Sequence, residues 1–353
     1  MATAPAAVPA PELTIWTDAA AVPTVAGILE ALGPVIQPLA VAGPRTQPVT
    51  DLAQRLDRPR EDDLRTLLVQ YPAAFLLLGT AAGVSVDHLA TAADQNTRVI
   101  TLEPVADDLP GLAALTQPRP RKSAATATSG AASAYDHVVH VPAFTAAPGY
   151  LAAAEPHESL GPRRTISLQS VGQRGQGSLF ARLFDAWRTV LTLAPMPLTI
   201  DAALTTGHAH LPESLRHATG SLTAHARLPE AGAILIDVAD HAGSPHRHLH
   251  ALGDHGELRI TDAGYTLHHT AGQLLDRGNP YTRLPFPELV AHQWRGLLTA
   301  ADSDGPQASH RASATAQAGH RHDAHALACC LACLLSARTA APEDPRRLLE
   351  IHA

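Results

Sequence analysis

His246, His248 and His250 alternate within a segment bounded by glycine- and proline-bearing turns at 243–245 and 253–256. On a β-strand alternate side chains share one face, about 7 Å apart per two-residue step. Imidazoles at that spacing can share a metal ion. They equally make a polar sheet face or a subunit contact. A second set comprises His320, His322, His325, Cys329, Cys330 and Cys333. On one helix His322, His325, Cys329 and Cys333 fall near one face, a donor set suited to a soft metal. A single helix cannot surround an ion tetrahedrally, however, and alanine, leucine and cysteine are also residues of buried helices. Neither set is assigned as a metal site.

Other candidates carry charge. Asp18 follows the first apolar run, where a carboxylate caps a helix start. Asp87 and His88 open a helical segment after Gly79, Thr80, Ala81, Ala82 and Gly83. Arg163, Arg164, Arg174 and Arg182 could line a cleft and give it a preference for anions. Lysine chemistry is almost excluded, because the 26 basic residues are 25 arginines and one lysine, Lys122.

These residues need a scaffold. Apolar runs at 13–17, 36–42, 75–80, 98–102 and 137–141 alternate with helical patterns at 22–32, 49–56, 61–70 and 86–95. Continuous apolar strands separated by helices indicate a parallel sheet covered on both faces. Residues 12–142 therefore read as a Rossmann-like doubly wound α/β domain, preceded by a disordered Ala/Pro tail at 1–11. A low-complexity stretch at 117–134 contains Lys122 and reads as a surface loop.

Beyond residue 143 the pattern changes. An amphipathic helix at 178–193 precedes alternating strands at 199–205, 221–228, 233–239, 246–252, 257–261 and 265–269. Helices at 286–300 and 322–338 close the chain, so residues 143–353 read as an α/β domain with an open, mostly antiparallel sheet. The expected ligand crevice lies between the two halves, at the C-terminal ends of the parallel strands.

Composition limits the partners. A formal charge of −7 argues against a general nucleic-acid or anionic-membrane surface. No apolar run approaches the roughly 18–20 residues of a membrane span, and the first residues lack a basic region with an apolar core. Three cysteines clustered at 329–333 cannot form a disulfide framework and fit a reducing compartment. The expectation is a cytoplasmic protein.

The segment FLLLGTAAGVSVDHLATAADQNTRVITLEP, residues 75–104, resembles a stretch of the glucose-fructose oxidoreductase / inositol dehydrogenase (Gfo/Idh/MocA) family. There a strand and short loop lead into a histidine-bearing helix, and the next strand delivers a Glu-Lys-Pro motif. GSLFARLFDAW resembles that family's Gly-Gly-x-x-x-Asp-x-x-x-His-x-x-Asp helix, and the segment from 232 to 265 resembles its C-terminal sheet. The resemblance covers nearly the whole chain from residue 12. It implies NAD or NADP as cofactor, a sugar or cyclitol as substrate, and a homodimer formed through the C-terminal sheet.

Hydride transfer requires a pyrophosphate cradle, a proton shuttle and a cation on the substrate oxygen. In the family these are a Gly-x-Gly-x-x-Gly turn, a histidine and the motif lysine. Here the turn reads Thr17-Asp18-Ala19-Ala20-Ala21-Val22-Pro23, without glycine until Gly27. Aligning Pro104 with the motif proline puts Glu103 at the lysine, or the lysine is deleted. Aligning Asp185 with the last motif aspartate puts Arg182 at the histidine and Ser178 at the upstream aspartate. The resemblance thus carries catalytic positions onto Glu103, Arg182 and, nearby, His88. It carries cofactor-side positions onto Asp18, Gly79, Thr80 and Glu103. Two functions follow: an oxidoreductase with rearranged residues, or a non-catalytic binding or assembly protein that keeps the fold and a small polyhydroxylated or anionic ligand.

Overall fold

The computed structural model describes residues 10–118, 133–173, 175–278, 284–301 and 308–352. Lys122 and Arg174 lie outside them.

Six strands form the first sheet: β1 (Glu12–Trp16), β2 (Gln37–Ala42), β3 (Arg60–Glu61), β4 (Phe75–Leu78), β5 (Arg98–Thr101) and β6 (Val138–His140). Their order is β3-β2-β1-β4-β5-β6 and every pairing is parallel. The intervening helices are α1 (Val22–Leu32), α2 (Gln47–Arg55), α3 (Leu64–Gln70), α4 (Val86–Asp94) and α5 (Leu109–Thr116). FLLL of β4 is buried at all four positions, as a central strand covered on both faces must be. The two-residue β3 and the helix α5, whose apolar residues lack a marked one-sided pattern, were not legible from periodicity.

The second half begins with two short helices, α6 (Pro148–Ala152) and α7 (Ala154–Ser159), and the strand β7 (Arg163–Val171). Helix α8 (Leu179–Leu191) follows, then β8 (Thr199–Thr205), β9 (Ser221–Arg227), β10 (Ala233–Ala239), β11 (His246–Gly253), β12 (Gly256–Thr261), β13 (Tyr265–His269) and β14 (Leu274–Arg277). The sheet order is β14-β13-β12-β11-β7-β10-β9-β8. Strand β7 lies centrally, parallel to β10 and antiparallel to β11. It was missed from sequence because it places only Ile166 and Leu168 as large apolar residues on its inner face. One face of this sheet packs on α8 and on α10 (Ala308–Thr339), with Trp187 fully buried between layers.

Helix α9 (Phe286–Ala301) does not join that second sheet. Its Val290, Ala291 and Trp294 complete the core on the α1/α2 face of the first sheet, and the Trp294 ring meets Phe75 edge-on at 5.8 Å. Helix α10 starts well before the expected residue 322, because its alanine-rich first half favours helix without any apolar period. The chain ends in α11 (Pro345–His352).

Candidate functional site

The C-terminal ends of β1, β4, β5 and β6 open toward the start of α8 and the strand β11. At the β1 end, Asp18 Oδ1 accepts a hydrogen bond from the Ala21 amide at 2.9 Å, and the Asp18 carbonyl accepts from Val22 N at 3.2 Å. The turn into α1 is therefore capped by a carboxylate of its own chain. The second half closes over the same point. Thr24 Oγ1, in the first turn of α1, donates to the Gly175 carbonyl. Gly175 has φ +83°, and a Cβ there would stand 2.6 Å from the Ala20 carbonyl oxygen.

A dinucleotide pyrophosphate needs free amides and room for close backbone approach at this helix start. Asp18 takes one amide and adds a like charge, three alanines add Cβ atoms, and the Gly175 backbone lies against the turn. These residues do not fit the group in its usual pose.

At the β4 end, Gly79 is required for packing. A Cβ would lie 2.8 Å from both Thr17 Oγ1 and Val25 Cγ2. Thr80 is buried and accepts from Ala82 N at 3.2 Å. Trp16 Nε1 donates to the Ala82 carbonyl at 3.1 Å, tying this loop to β1. At the β5 end, Glu103 Oε2 accepts from Ala81 N at 3.3 Å. Burial pushes the Glu103 carboxyl above the ordinary range; Ala81, Ser178 and Arg216 favour its charged form, and the Asp18 charge opposes it. The Glu103 and Asp18 carboxylates thus act on each other across the ends of β5 and β1.

Helix α8 brings Arg182 and Asp185 to the cleft. Ser178 caps it, accepting from Ala181 N at 3.1 Å. Asp185 accepts from Phe144 N at 3.0 Å and pairs with Arg247 at 3.1 Å. Arg247 also pairs with Asp262 at 2.7 Å, donates to the Pro142 carbonyl at 3.0 Å and lies over the Phe144 ring. Burial raises the Asp185 carboxyl from its ordinary range against the pull of Arg247. Arg182 Nη2 donates to the Gln176 carbonyl at 3.0 Å. Burial and then the neighbouring charge of Arg247 push the Arg182 guanidinium down to about 10. Arg182, Asp185 and Arg247 line a cavity of about 80 Å³, with Leu102 and Pro104 on its opposite wall.

Arg247 was not singled out from sequence. The signal was the alternation in HRHLHAL, which places Arg247, Leu249 and Ala251 on the buried face while the histidines take the other. On that outer face His246 Nε2 meets Gln169 Oε1 at 3.0 Å and His250 Nε2 meets Glu257 Oε1 at 2.8 Å. The His248 and His250 rings stack 6.5 Å apart. Each of these histidines has a local partner, and among the described residues no group of three or more His, Cys, Asp or Glu could hold a metal ion.

The other candidates disperse. His88 sits at the start of α4, where its Nδ1 accepts from Ser85 N at 3.2 Å and Ser85 Oγ accepts from His88 N. This reciprocal cap fixes His88 locally and apart from the cavity lining. Arg163 donates to the His157 carbonyl and Arg164 pairs with Asp254 near the surface. In α10, His320 meets Asp136 at 3.0 Å and His322 meets the Arg188 carbonyl at 2.7 Å. Cys329, Cys330 and Cys333 are free and buried.

A buried network separates the cavity from a larger one of about 420 Å³ against β6 and α9. Tyr135 donates its hydroxyl to Asp323 at 2.8 Å, and Asp323 also pairs with Arg188 at 2.7 Å. His140 Nε2 lies 3.2 Å from the same hydroxyl. That hydroxyl has one proton, already committed to Asp323, so His140 donates through Nε2 and keeps Nδ1 as an acceptor. His140 and Arg188 line both cavities. None of this network was anticipated, because its members are scattered from residue 135 to 323.

No protein-family model and no curated protein sequence matches the chain. Solved structures match it over nearly its full length at low identity. An oxidoreductase from Agrobacterium radiobacter in complex with NAD+, L-tartaric acid and magnesium has TM-score 0.65 and 10% identity, over 96% of this chain and 99% of that one. Levoglucosan dehydrogenase in complex with NADH and L-sorbose has TM-score 0.61 and 12% identity, over 94% and 98%. A myo-inositol dehydrogenase from Corynebacterium glutamicum has TM-score 0.59 and 14% identity, over 94% and 98%. A parallel six-stranded sheet joined to a mixed eight-stranded sheet, matched end to end by these enzymes, gives the chain the two-domain fold of the Gfo/Idh/MocA oxidoreductases.

Proposed function

We propose that this chain is a divergent Gfo/Idh/MocA-type protein that keeps the fold and the cleft but not hydride transfer. It acts as a binding or assembly protein for a small polyhydroxylated or anionic ligand. The observation that carries this reading is the Asp18 carboxylate on the Ala21 amide, at the helix start where a pyrophosphate would have to bind. Glu103 in place of a cation and Arg182 in place of a proton shuttle point the same way. Arginine stays protonated under ordinary conditions and recognises oxyanions rather than relaying protons.

A second reading is favoured by the matched structures whose names carry NAD+ or NADH together with tartrate or L-sorbose. In it the protein is an NAD(P)-dependent oxidoreductase acting on a sugar or cyclitol, with the cofactor seated differently and Arg182, Glu103 or His88 in rearranged roles. Fluorescence titration of the purified protein with NADH and NADPH, with thermal shift as a check on folding, separates the two. Absence of binding to the folded protein supports the first; micromolar binding of either cofactor overturns it.

The homodimer belongs to this reading too. Its support is the polar outer face of the second sheet, where His246, His248, His250 and Arg259 stand away from the helices. Free buried thiols accord with a cytoplasmic location. Among the described residues no helix is long and apolar enough to cross a membrane.

A further inference from the structure

Three arginines line the small cavity, and two of them are neutralised within the chain. Arg247 has Asp185 and Asp262, and Arg188 has Asp323. Arg182 has no carboxylate within 4.0 Å among the described residues, although only 7% of it is exposed. Asp240 and Asp185 attract it from farther away, but Asp240 already accepts from Gly220 N at 3.0 Å and faces His241, and Asp185 is paired with Arg247. Arg182 Nη2 is spent on backbone carbonyls and Nε is sealed away without an acceptor, which leaves Nη1, with no hydrogen bond among the described residues, as the edge a ligand can reach.

A buried cation with an unmet donor is costly unless an anion completes it. Its position is also built for. Gly172 lies directly beneath the guanidinium, so that a Cβ there would stand 2.5 Å from Arg182 Cζ. The guanidinium would have to shift to admit any other side chain there.

We infer that Arg182 is the carboxylate-binding residue for a small monoanionic hydroxycarboxylic acid. This rests on the reading of the cleft as a ligand site. The three arginines and the carboxylates of Asp185, Asp262 and Asp323 balance in charge, so a ligand that brings one negative charge to the unpaired Arg182 is favoured over a phosphate monoester, which would bring a second. The cavity, about 80 Å³, suits a small acid of the size of glycerate. The hydroxyl groups are met by Ser170, Gln176, Asp185 and Asp262, all of which line the same cavity.

Calorimetric titration of the full chain with D-glycerate and with its neutral isostere glyceramide tests the inference. Glycerate is expected to bind saturably, and glyceramide at least tenfold more weakly. Arg182→Gln is expected to lose at least tenfold in glycerate affinity while circular dichroism stays unchanged. Equal affinity for the two probes, no saturation by glycerate at millimolar concentration, or full affinity in R182Q overturns it. The glyceramide comparison needs no variant, so a misfolded R182Q still leaves a decisive result. NADH titration of the same sample separates the two proposals. NADH binding overturns the non-catalytic reading and leaves a charge-selective glycerate site standing; silence toward both probes in folded protein overturns this inference alone.

Discussion

Asp18 and Ala21 are joined by a hydrogen bond of 2.9 Å from the Ala21 amide to the Asp18 carboxylate. A carboxylate of the chain thereby closes the turn that leads into α1, just ahead of its first residue, Val22. In a dinucleotide-binding protein that helix start is reserved for the ligand. The same contact makes Asp18 a structural residue. Asp18→Ala is expected to lower stability by about 1 kcal/mol, the usual net worth of one hydrogen bond, here the one that closes the turn into α1. Urea denaturation measures it, and a variant as stable as the parent would remove the structural role.

Gly172 and Arg182 are coupled by contact. Gly172→Ala puts a methyl group 2.5 Å from Cζ of a buried guanidinium, and overpacking of this kind costs about 1–3 kcal/mol. Arg182→Ala removes the obstacle. The double variant is therefore expected to be more stable than the sum of the two single losses implies, by roughly 0.5 kcal/mol or more. Strict additivity in a denaturation cycle would show that the two groups do not touch.

Arg247 holds two carboxylates, Asp185 and Asp262, and the Pro142 carbonyl. Removing the cation leaves buried Asp185 without its counter-charge. Arg247→Met is expected to cost about 3–5 kcal/mol. Arg164→Met is the control. Its bidentate pair with Asp254 is 55% and 36% exposed, so its loss is expected to leave stability almost unchanged. Comparable losses at the two positions would contradict the burial argument.

Two histidines set a pH dependence. Burial first, then Arg188, depresses His140 from 6.5 to about 3; burial first, then Arg163, depresses His157 to about 4. In both cases the unfolded chain binds a proton that the folded one refuses. Stability is therefore fully present above pH 6.5 and falls as pH drops from 6.5 toward the folded values. Each histidine contributes a slope approaching about 1.4 kcal/mol per pH unit within that window. Denaturation at pH 7.5 and 5.5 should show the loss, and His157→Asn should reduce it. An unchanged pH profile in that variant would place the titrating group elsewhere.

The sequence by itself determined the two-part architecture, and the reason is local. Residues 75–78 are apolar at every position and 233–239 alternate, so each strand declares how many of its faces are covered. It also shows which residue types stand at two strand ends. An aspartate and three alanines stand where a glycine-rich turn would be, and no lysine precedes Pro104. These are facts of residue type at known spacing from a strand end, and the fold placed Asp18 and Glu103 at those strand ends.

Only the tertiary structure decided what remains at the site. Arg182 is informative because Gly172 lies under it and because no carboxylate among the described residues forms an ion pair with it, while Asp185 and Asp262 are taken by Arg247. Sequence spacing cannot state which charges cancel, since the partners come from α8, β11 and the turn after β12. His88 shows the converse: its position in the resemblance marked it out, but its ring is spent on the cap of α4. The same limit hid α9, which follows the second sheet in the chain yet completes the core of the first. Periodicity reports that a helix has an apolar face, whereas the surface that face covers is fixed by long-range packing alone.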